Sequence, residues 1–397
     1  LKKGRGVRDY RVERRVIDAV LARAKELGLD ADLARRVVGL LIERSAIIQG
    51  EDLGRPEVLS QIFIRAKELE QEGKRIIHLE VGEPDYYPSP QVFKAMCREG
   101  KMGYGHPLGL KELREGIAHH VSRMYGVKVS YENVAVTPGG KYALYAVLSS
   151  ILGVGSRVAI IYPSYSAYPV IVRRVGATIV PLITRLEDGW IPDEDEVEKC
   201  IRTCDAIILN SPSNPTGRVY DLKFLRRVVD AAAEANALVI SDEGYSSLSF
   251  TDHHSVLKLG YKAAVMIGSF SKSLGMTGFR LGYIIAHEDV IRKVAGFISS
   301  TVTCTPIPVQ LAGIEALRTW DTVERNRRIL MERAEAAAKI LEEEGVEFTA
   351  PEGGLYVFPR VGVDSYRLSL KALEEHGVAV APGYAFGPYN DLSLIHI

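Results

Sequence analysis

The chain has 397 residues, and its 50 basic side chains balance its 50 acidic ones. This neutral balance gives no indication of binding to nucleic acid or to an anionic membrane surface. No apolar stretch approaches the ~20 residues that a membrane-spanning helix needs, and no signal peptide is recognisable, so we expect a cytoplasmic protein. The length allows two or three domains with a sizeable core.

The cysteines give no indication of a metal-binding protein or of a protein stabilised by disulfide bonds. Cys97, Cys200, Cys204 and Cys304 lack the spacing of metal ligands and do not form a disulfide framework. Cys200 and Cys204 are four residues apart in a charged, helix-patterned segment, so we expect them to be neighbours on one helix face.

The first 50 residues form a region of their own. Residues 11–27 and 30–49 predict two helices, because their apolar residues recur at three- and four-residue spacing. Gly28 separates the two segments, and Asp30 is a suitable N-cap for the second. The sequence therefore predicts an N-terminal α-helical hairpin.

The middle of the chain alternates short β-rich runs with helical patterns. The runs are residues 134–136, 158–161, 177–182, 206–209, 237–240, 265–269 and 281–286. This alternation is typical of an α/β fold with a mainly parallel sheet. Residues 319–345 predict a long amphipathic helix, with strands near 347–349 and 355–359. We expect a large domain at about 84–310 and a smaller α+β domain from 51–83 plus 311–397.

A lysine in an unusual setting is the first sign of chemistry. Lys272 lies in the run GSFSKSLGMTGFR, next to Ser269 and Ser271 and eight residues before Arg280. Small hydroxylic neighbours and a nearby arginine favour an amine of depressed pKa beside a bound phosphate. A basic surface loop is the alternative for this run taken alone.

Two further motifs follow predicted strands. Asp242, in SDEGY, follows the apolar run 237–240, and Asn214 lies in NSPSNPTG after the run 206–209. Polar groups at the carboxyl ends of parallel strands face the crevice where α/β sheets bind ligands. A helix N-cap is the alternative role for Asp242, and an ordinary turn is the alternative for the Asn-Pro pair.

A glycine pair predicts an anion site. Gly139 and Gly140, in TPGGK, precede the helix-patterned stretch 142–152, so their amides would point out of a helix N-terminus. Together with Ser269 and Arg280 they would form a phosphate cup, because an arginine offers a bidentate fork.

These motifs, in this order over about residues 53–390, resemble the pyridoxal-phosphate (PLP) aminotransferases of class I/II, the aspartate aminotransferase family. The resemblance implies that Lys272 carries PLP as a Schiff base, that Asp242 pairs with the pyridine nitrogen, and that Tyr245 bonds the phenolic oxygen. It implies further cofactor contacts from Gly139, Gly140, Lys141, Tyr165, Asn214, Ser269, Ser271 and Arg280. Gly82 and Asn214 would face the substrate. Tyr104 would reach the phosphate of a neighbouring subunit, which implies a homodimer.

The reaction that the resemblance implies is a ping-pong transamination between an amino acid and a 2-oxo acid. Lys272 would act as general acid and base. Two alternatives use the same cofactor residues: a PLP-dependent carbon–sulfur lyase and a PLP-binding protein without turnover.

The predicted hairpin resembles the last two helices of the all-helical chorismate mutase domain. Asp9, Glu13, Ser45 and Gln49 match its site residues, but Val12 stands where that family usually has an arginine, and the long first helix is absent. A helical docking or dimerisation segment is the equal alternative. The fusion favours aromatic or prephenate-type substrates, with aspartate and 2-oxoglutarate as the second choice.

Both ends of the chain suggest a truncated fragment. Residue 1 is leucine, and only DLSLIHI follows Asn390. The resemblance implies a later arginine that binds the α-carboxylate of the substrate, whereas no arginine occurs after Arg367. We therefore expect this anchor to lie outside the sequence.

Overall fold

A seven-stranded sheet is the centre of the part of the chain that the structure describes. The computed structural model describes residues 10–48, 53–97 and 102–397. The strands of this large sheet run in the order β2-β8-β7-β6-β5-β3-β4. Their bounds are β2 Val134–Thr137, β3 Arg157–Tyr162, β4 Thr178–Ile183, β5 Ala206–Asn210, β6 Leu238–Asp242, β7 Ala264–Ser269 and β8 Gly282–Ala286.

All pairs in this sheet are parallel except those of β8, which runs antiparallel to β2 and β7. Each strand lies within two residues of its predicted bounds, so the predicted mainly parallel α/β sheet is confirmed. Strands β3 and β5 are buried along their whole length, as expected for strands covered on both faces.

Helices cover the two faces of the large sheet and build the regions around it. Their bounds in the described residues are α1 Tyr10–Glu26, α2 Ala31–Ile48, α3 Glu57–Gln71, α4 Pro90–Met96, α5 Lys111–Tyr125, α6 Gly140–Ile151, α7 Ala167–Arg174, α8 Glu194–Ile201, α9 Leu222–Ala235, α10 Glu288–Thr301, α11 Ile307–Arg318, α12 Asp321–Glu343 and α13 Ser365–His376. Local signals set some of these ends. Asp221 caps α9 by accepting from the Phe224 amide at 2.7 Å, and Asn236 ends it in the left-handed conformation.

The core lies on both faces of the sheet. Leu144 and Val147 of α6 pack with Ile160 on one face, and Phe224 and Val228 of α9 belong to the cluster on the other. This arrangement leaves the carboxyl ends of the parallel strands as the edge where side chains from several strands meet.

Short strands and helices form the smaller region. The strands are β1 Ile77–His78, β9 Tyr356–Val357, β10 Val378–Ala379, β11 Ala381–Pro382 and β12 Ser393–His396. Strand β1 pairs with β10, and the order of the other three is β11-β12-β9. Ile62 and Leu69 of α3 pack on Leu373 of α13.

Two sequence predictions in detail are wrong. Residues 347–349 are not a strand, because they enter no ladder and only the Glu347 carbonyl accepts from the Arg360 amide, at 2.8 Å. Cys204 lies beyond the end of α8, so Cys200 and Cys204 do not share a helix face, although they are neighbours in space.

The predicted N-terminal hairpin is present as α1 and α2, and it lies against the large sheet. Glu13 of α1 pairs with Arg157 of β3 at 2.9 Å, and Glu43 of α2 pairs with Arg173 of α7 at 2.8 Å. Among the described helices, none has the length and apolar character required to cross a bilayer.

Candidate active site

A cavity of about 500 Å³ opens at the carboxyl ends of β5, β6 and β7. The sequence predicted this edge, because parallel strands end on the same side of a sheet. The residues predicted for the site that line the cavity are Gly82, Gly140, Lys141, Tyr165, Asn214, Asp242, Tyr245, Ser269, Ser271, Lys272 and Arg280.

Lys272 lies in the loop after β7, and its amine is inside the cavity. The Nζ atom donates to the carbonyl of Gly82, which the small region contributes. Burial is the largest cause that lowers the pKa of Lys272, Glu83 opposes it, and the positive charges of Arg280 and Lys141 add to it, so that the resulting pKa is about 8. At pH 7 roughly one tenth of this amine is therefore neutral and nucleophilic, whereas an amine with the ordinary pKa of 10.5 is almost entirely protonated.

Asp242 is the last residue of β6 and faces the same cavity. Burial raises its pKa, while hydrogen bonds from the Tyr168 hydroxyl at 2.8 Å and the Gly244 amide at 3.1 Å lower it. The net effect is a raised pKa, so a positively charged group placed against this carboxylate would stabilise its ionised form.

Three polar side chains meet beside Asp242. The Asn214 side-chain amide donates to the Tyr245 hydroxyl at 3.5 Å, and this hydroxyl lies 2.9 Å from that of Tyr356. The Oδ1 atom of Asn214 is buried without a hydrogen-bond partner. A buried polar atom of this kind at a cavity wall is suited to a ligand that completes its hydrogen bonding.

An anion-binding corner lies at the start of α6. Gly139 is the N-cap with φ of +85°, and a Cβ atom there would lie 2.5 Å from the Arg280 guanidinium. Only glycine allows both the positive φ and this close approach. Ser269 ends β7 and Ser271 lies in the loop that follows, where the Ser271 amide donates to Ser269 Oγ at 3.1 Å. Amides, hydroxyls and a guanidinium therefore converge on one point of the cavity.

Another part of the cavity wall is aromatic. The Tyr165 ring meets the Tyr168 ring edge-on at 5.4 Å, and Lys141 Nζ lies 5.5 Å from the centre of the Tyr165 ring. Lys141 is exposed at the mouth of the cavity.

Some predicted residues lie elsewhere. Tyr104 is 93% exposed and does not line the cavity. Of the residues in the mutase-like pattern, Glu13 is paired with Arg157 and Ser45 is exposed on α2. Asp9 and Gln49 lie outside the described residues.

Several residues of the cavity wall are not among those predicted from the sequence. Tyr168 was visible in the run YPSYSAYP, three residues after Tyr165 and one helical turn along, but it was not singled out. Tyr356, Glu80 and Phe386 come from the smaller region and carry no local signal of their own. Their place in the wall depends on how the two regions pack.

The donor set fits PLP. The cavity offers one amine of lowered pKa, one buried carboxylate that a cation would stabilise, an orphaned amide oxygen and a cluster of anion-binding groups. The α/β fold and this site together define a PLP-dependent enzyme.

Comparisons with known proteins agree with this class. The family model described as "Aminotransferase class I and II" matches residues 74–392. The chain therefore belongs to the class I and II aminotransferase family, and it is a transaminase. The family and cofactor predicted from the motifs are confirmed.

Relatives and solved structures support the same assignment. The chain is 38% identical to the aspartate aminotransferase of Thermococcus kodakarensis, over 85% of this chain and 87% of the relative. It is 32% identical to the aspartate/prephenate aminotransferase of Thermus thermophilus, over 86% and 91% of the two chains. The crystal structure of aspartate aminotransferase from Thermotoga maritima matches with a TM-score of 0.81 and 33% identity, covering 86% of this chain and 92% of that one.

Proposed function

We propose that this transaminase runs two half-reactions in turn at one site, with Lys272 as the proton carrier. The observation that carries the proposal is the amine of lowered pKa in one cavity with a buried carboxylate and an anion-binding corner. Bound PLP supplies an electron sink for the carbon from which a proton is removed.

We assign the cofactor-holding roles by the chemistry of each group. Asp242, held by Tyr168 and Gly244, would face the pyridine nitrogen. Asn214 and Tyr245 would bond the phenolic oxygen, and Tyr165 would cover one face of the ring. The phosphate would lie at the corner formed by Gly139, Gly140, Ser269, Ser271 and Arg280.

Lys272 would accept a proton from the Cα atom of the amino acid and return it to the cofactor side. A neutral amine is needed to accept this proton, and burial supplies it by lowering the pKa to about 8. The backbone of Gly82, whose carbonyl accepts from Lys272 Nζ, would border the substrate and orient the amine.

For the substrate, we propose amino acids that carry a second carboxylate, either aspartate and glutamate or a prephenate-type compound. Lys141 is a cation at the mouth of the cavity beside the ring of Tyr165. A carboxylate on the substrate side chain would pair with Lys141, and the aromatic wall would accept a ring. Relatives named as aspartate and aspartate/prephenate aminotransferases support this choice.

The test is a substrate panel with purified protein and PLP. We expect turnover of aspartate with 2-oxoglutarate, of prephenate with an acidic amino donor, or of both, and slower turnover of alanine. Lys141→Met should raise KM for the dicarboxylates about 10-fold or more, since an ion pair to a charged ligand is lost, and leave alanine unchanged. Equal losses for alanine and aspartate would contradict the role of Lys141.

We also propose a homodimer in which Tyr104 completes the site of the partner subunit. Its side chain is exposed and does not line the cavity of its own chain, which supports action in trans. A mixture of the Tyr104→Ala and Lys272→Ala proteins tests this proposal. If Tyr104 acts in trans, reassembled mixed dimers hold one complete site, and activity should recover to about one quarter of the wild-type value. No recovery despite subunit exchange would refute it.

For the N-terminal hairpin, we propose a docking role rather than mutase activity. The Glu13 carboxylate, one of the mutase-like positions, is bound to the Arg157 guanidinium, and both side chains are largely buried. A group held in this way is not available to a substrate. Mutase turnover by the purified chain would overturn the proposal.

A further inference from the structure

A pair of thiols lies outside the active site, where α8 ends. The Sγ atoms of Cys200 and Cys204 are 3.9 Å apart, and the two residues are 1% and 4% exposed. A disulfide bond is about 2.05 Å long, so the sulfur atoms need to approach by only about 2 Å to become bonded.

The backbone explains why these sulfur atoms are close. The amide of Thr203 donates to the Cys200 carbonyl at 2.9 Å, and the amide of Cys204 donates to the Ile201 carbonyl at 2.9 Å. These three-residue steps wind more tightly than an α-helix. The chain therefore turns inward after α8 and brings Cys204 against Cys200.

The surroundings make the two thiols unequal. Burial raises the pKa of Cys204, but the hydrogen bond from Cys200 and the positive charge of Arg157 lower it, and the net direction is down. The hydrogen bond to Cys204 raises the pKa of Cys200, and burial raises it further. A thiol of lowered pKa beside one of raised pKa favours thiol–disulfide exchange, because Cys204 loses its proton more readily and Cys200 remains available for the second step.

The N-terminal hairpin lies over this turn. Arg157 joins the two, since its Nε donates to the Thr203 carbonyl at 2.9 Å and its guanidinium pairs with Glu13 of α1. Arg14 of α1 lies 3.9 Å from Asp205, the residue after Cys204. A small molecule that approaches the thiols from this side meets α1 first.

We propose that Cys200 and Cys204 are a modification site, a dithiol that a small-molecule disulfide converts to an intramolecular disulfide when the hairpin moves away. The Cys204 thiolate attacks one sulfur of the reagent RSSR and releases RS⁻, which takes up a proton. The Cys200 thiol then loses its proton and attacks the mixed disulfide at the Cys204 sulfur, releasing the second RS⁻. The dithiol loses two protons and two electrons, and RSSR is reduced to two RSH.

The test uses the full chain with PLP and oxidised glutathione, in a Cys97→Ser/Cys304→Ser background that leaves only this pair. Intact mass should fall by about 2 Da, the mass of the two hydrogens lost, and peptide mapping should join Cys200 to Cys204. Adding Cys200→Ser should instead leave one glutathione on Cys204. An unchanged mass, or glutathione on both thiols without a bond between them, would overturn the proposal.

Substitutions of two glutamates of α1 test whether the hairpin limits the access of the reagent to the two thiols. Glu13→Gln removes the partner of Arg157, whereas Glu26→Gln removes an exposed pair with Arg23 on the same helix. We expect the disulfide to form at least about 10-fold faster in Glu13→Gln and at the wild-type rate in Glu26→Gln, since loss of a buried ion pair weakens docking. Arg14→Gln, a milder change, gives a second measure, and retained transaminase activity shows that each variant is folded. Equal rates in all variants would refute the role of the hairpin.

Discussion

The hydroxyl of Tyr168 donates to Oδ2 of Asp242 at 2.8 Å, while the Gly244 amide donates to Oδ1 at 3.1 Å. Both oxygens of a buried carboxylate at the end of β6 are thereby held in place. These bonds favour the ionised form of Asp242 against burial, which disfavours it. Tyr168 is thus a positioning residue for the carboxylate that we assign to the pyridine nitrogen.

Tyr168→Phe should weaken the hold on PLP. Loss of the hydrogen bond raises the pKa of Asp242 further, and a bond to a charged group contributes about 1.5–3 kcal/mol, so the dissociation constant of PLP should rise roughly 10- to 100-fold. Equilibrium dialysis measures this constant. Tyr220→Phe, which changes a buried tyrosine of the other core cluster, is the control and should bind PLP normally.

Lys272→Ala should abolish the amine-dependent chemistry. We expect kcat to fall by about 10²–10⁴-fold or more, because both the cofactor attachment and the proton carrier are lost. The absorbance band of lysine-bound PLP should vanish as well. Lys262→Ala removes an exposed lysine near the start of β7 and should change neither quantity. A band that survives in Lys272→Ala would contradict the assignment.

The stability of the protein without PLP should depend on pH through Lys272. Its pKa is about 8 in the folded chain and 10.5 ordinarily, so between these values the unfolded chain keeps a proton that the folded chain releases. The free energy of unfolding should therefore rise from pH 8 to 10.5, by up to roughly 3 kcal/mol from this group. Urea unfolding at several pH values gives the free energy of unfolding of the wild type and of Lys272→Met. The difference between the two proteins at each pH is the contribution of Lys272. A difference that does not vary with pH would refute it.

Gly139→Ala should disturb the anion-binding corner. The added Cβ atom would lie 2.5 Å from the Arg280 guanidinium, and φ at this position is +85°. We expect Arg280 to move and the affinity for PLP to fall by roughly 10-fold or more, since a charged hydrogen bond is weakened. Gly153→Ala lies just beyond the other end of α6, where nothing is within 4 Å, and serves as the control. Equal affinities of the two variants would show that the close approach is unimportant.

The sequence by itself determined the sheet and the residues at its edge. Strands such as β5 and β6 begin with continuous apolar runs, and a run without alternating polar residues predicts a strand that is buried on both faces. Asp242 is the last residue of β6 and Asn214 lies four residues after the end of β5. Because parallel strands end on one side of a sheet, their order in the sequence was enough to predict that they lie close together. The motif around Lys272 follows β7 in the same way.

Tertiary structure decided the contacts between distant segments. Tyr356 reaches the Tyr245 hydroxyl from 111 residues away, and Glu13 reaches Arg157 across 144 residues. Neither pair has a local pattern, because each depends on how separately folded elements pack. Residues 347–349 were predicted as a strand from their local pattern, but they do not form one. A run of this kind becomes a strand only where a neighbouring strand accepts its hydrogen bonds. Local pattern fixes which segments are buried and where they end, whereas packing fixes which of the remaining side chains meet.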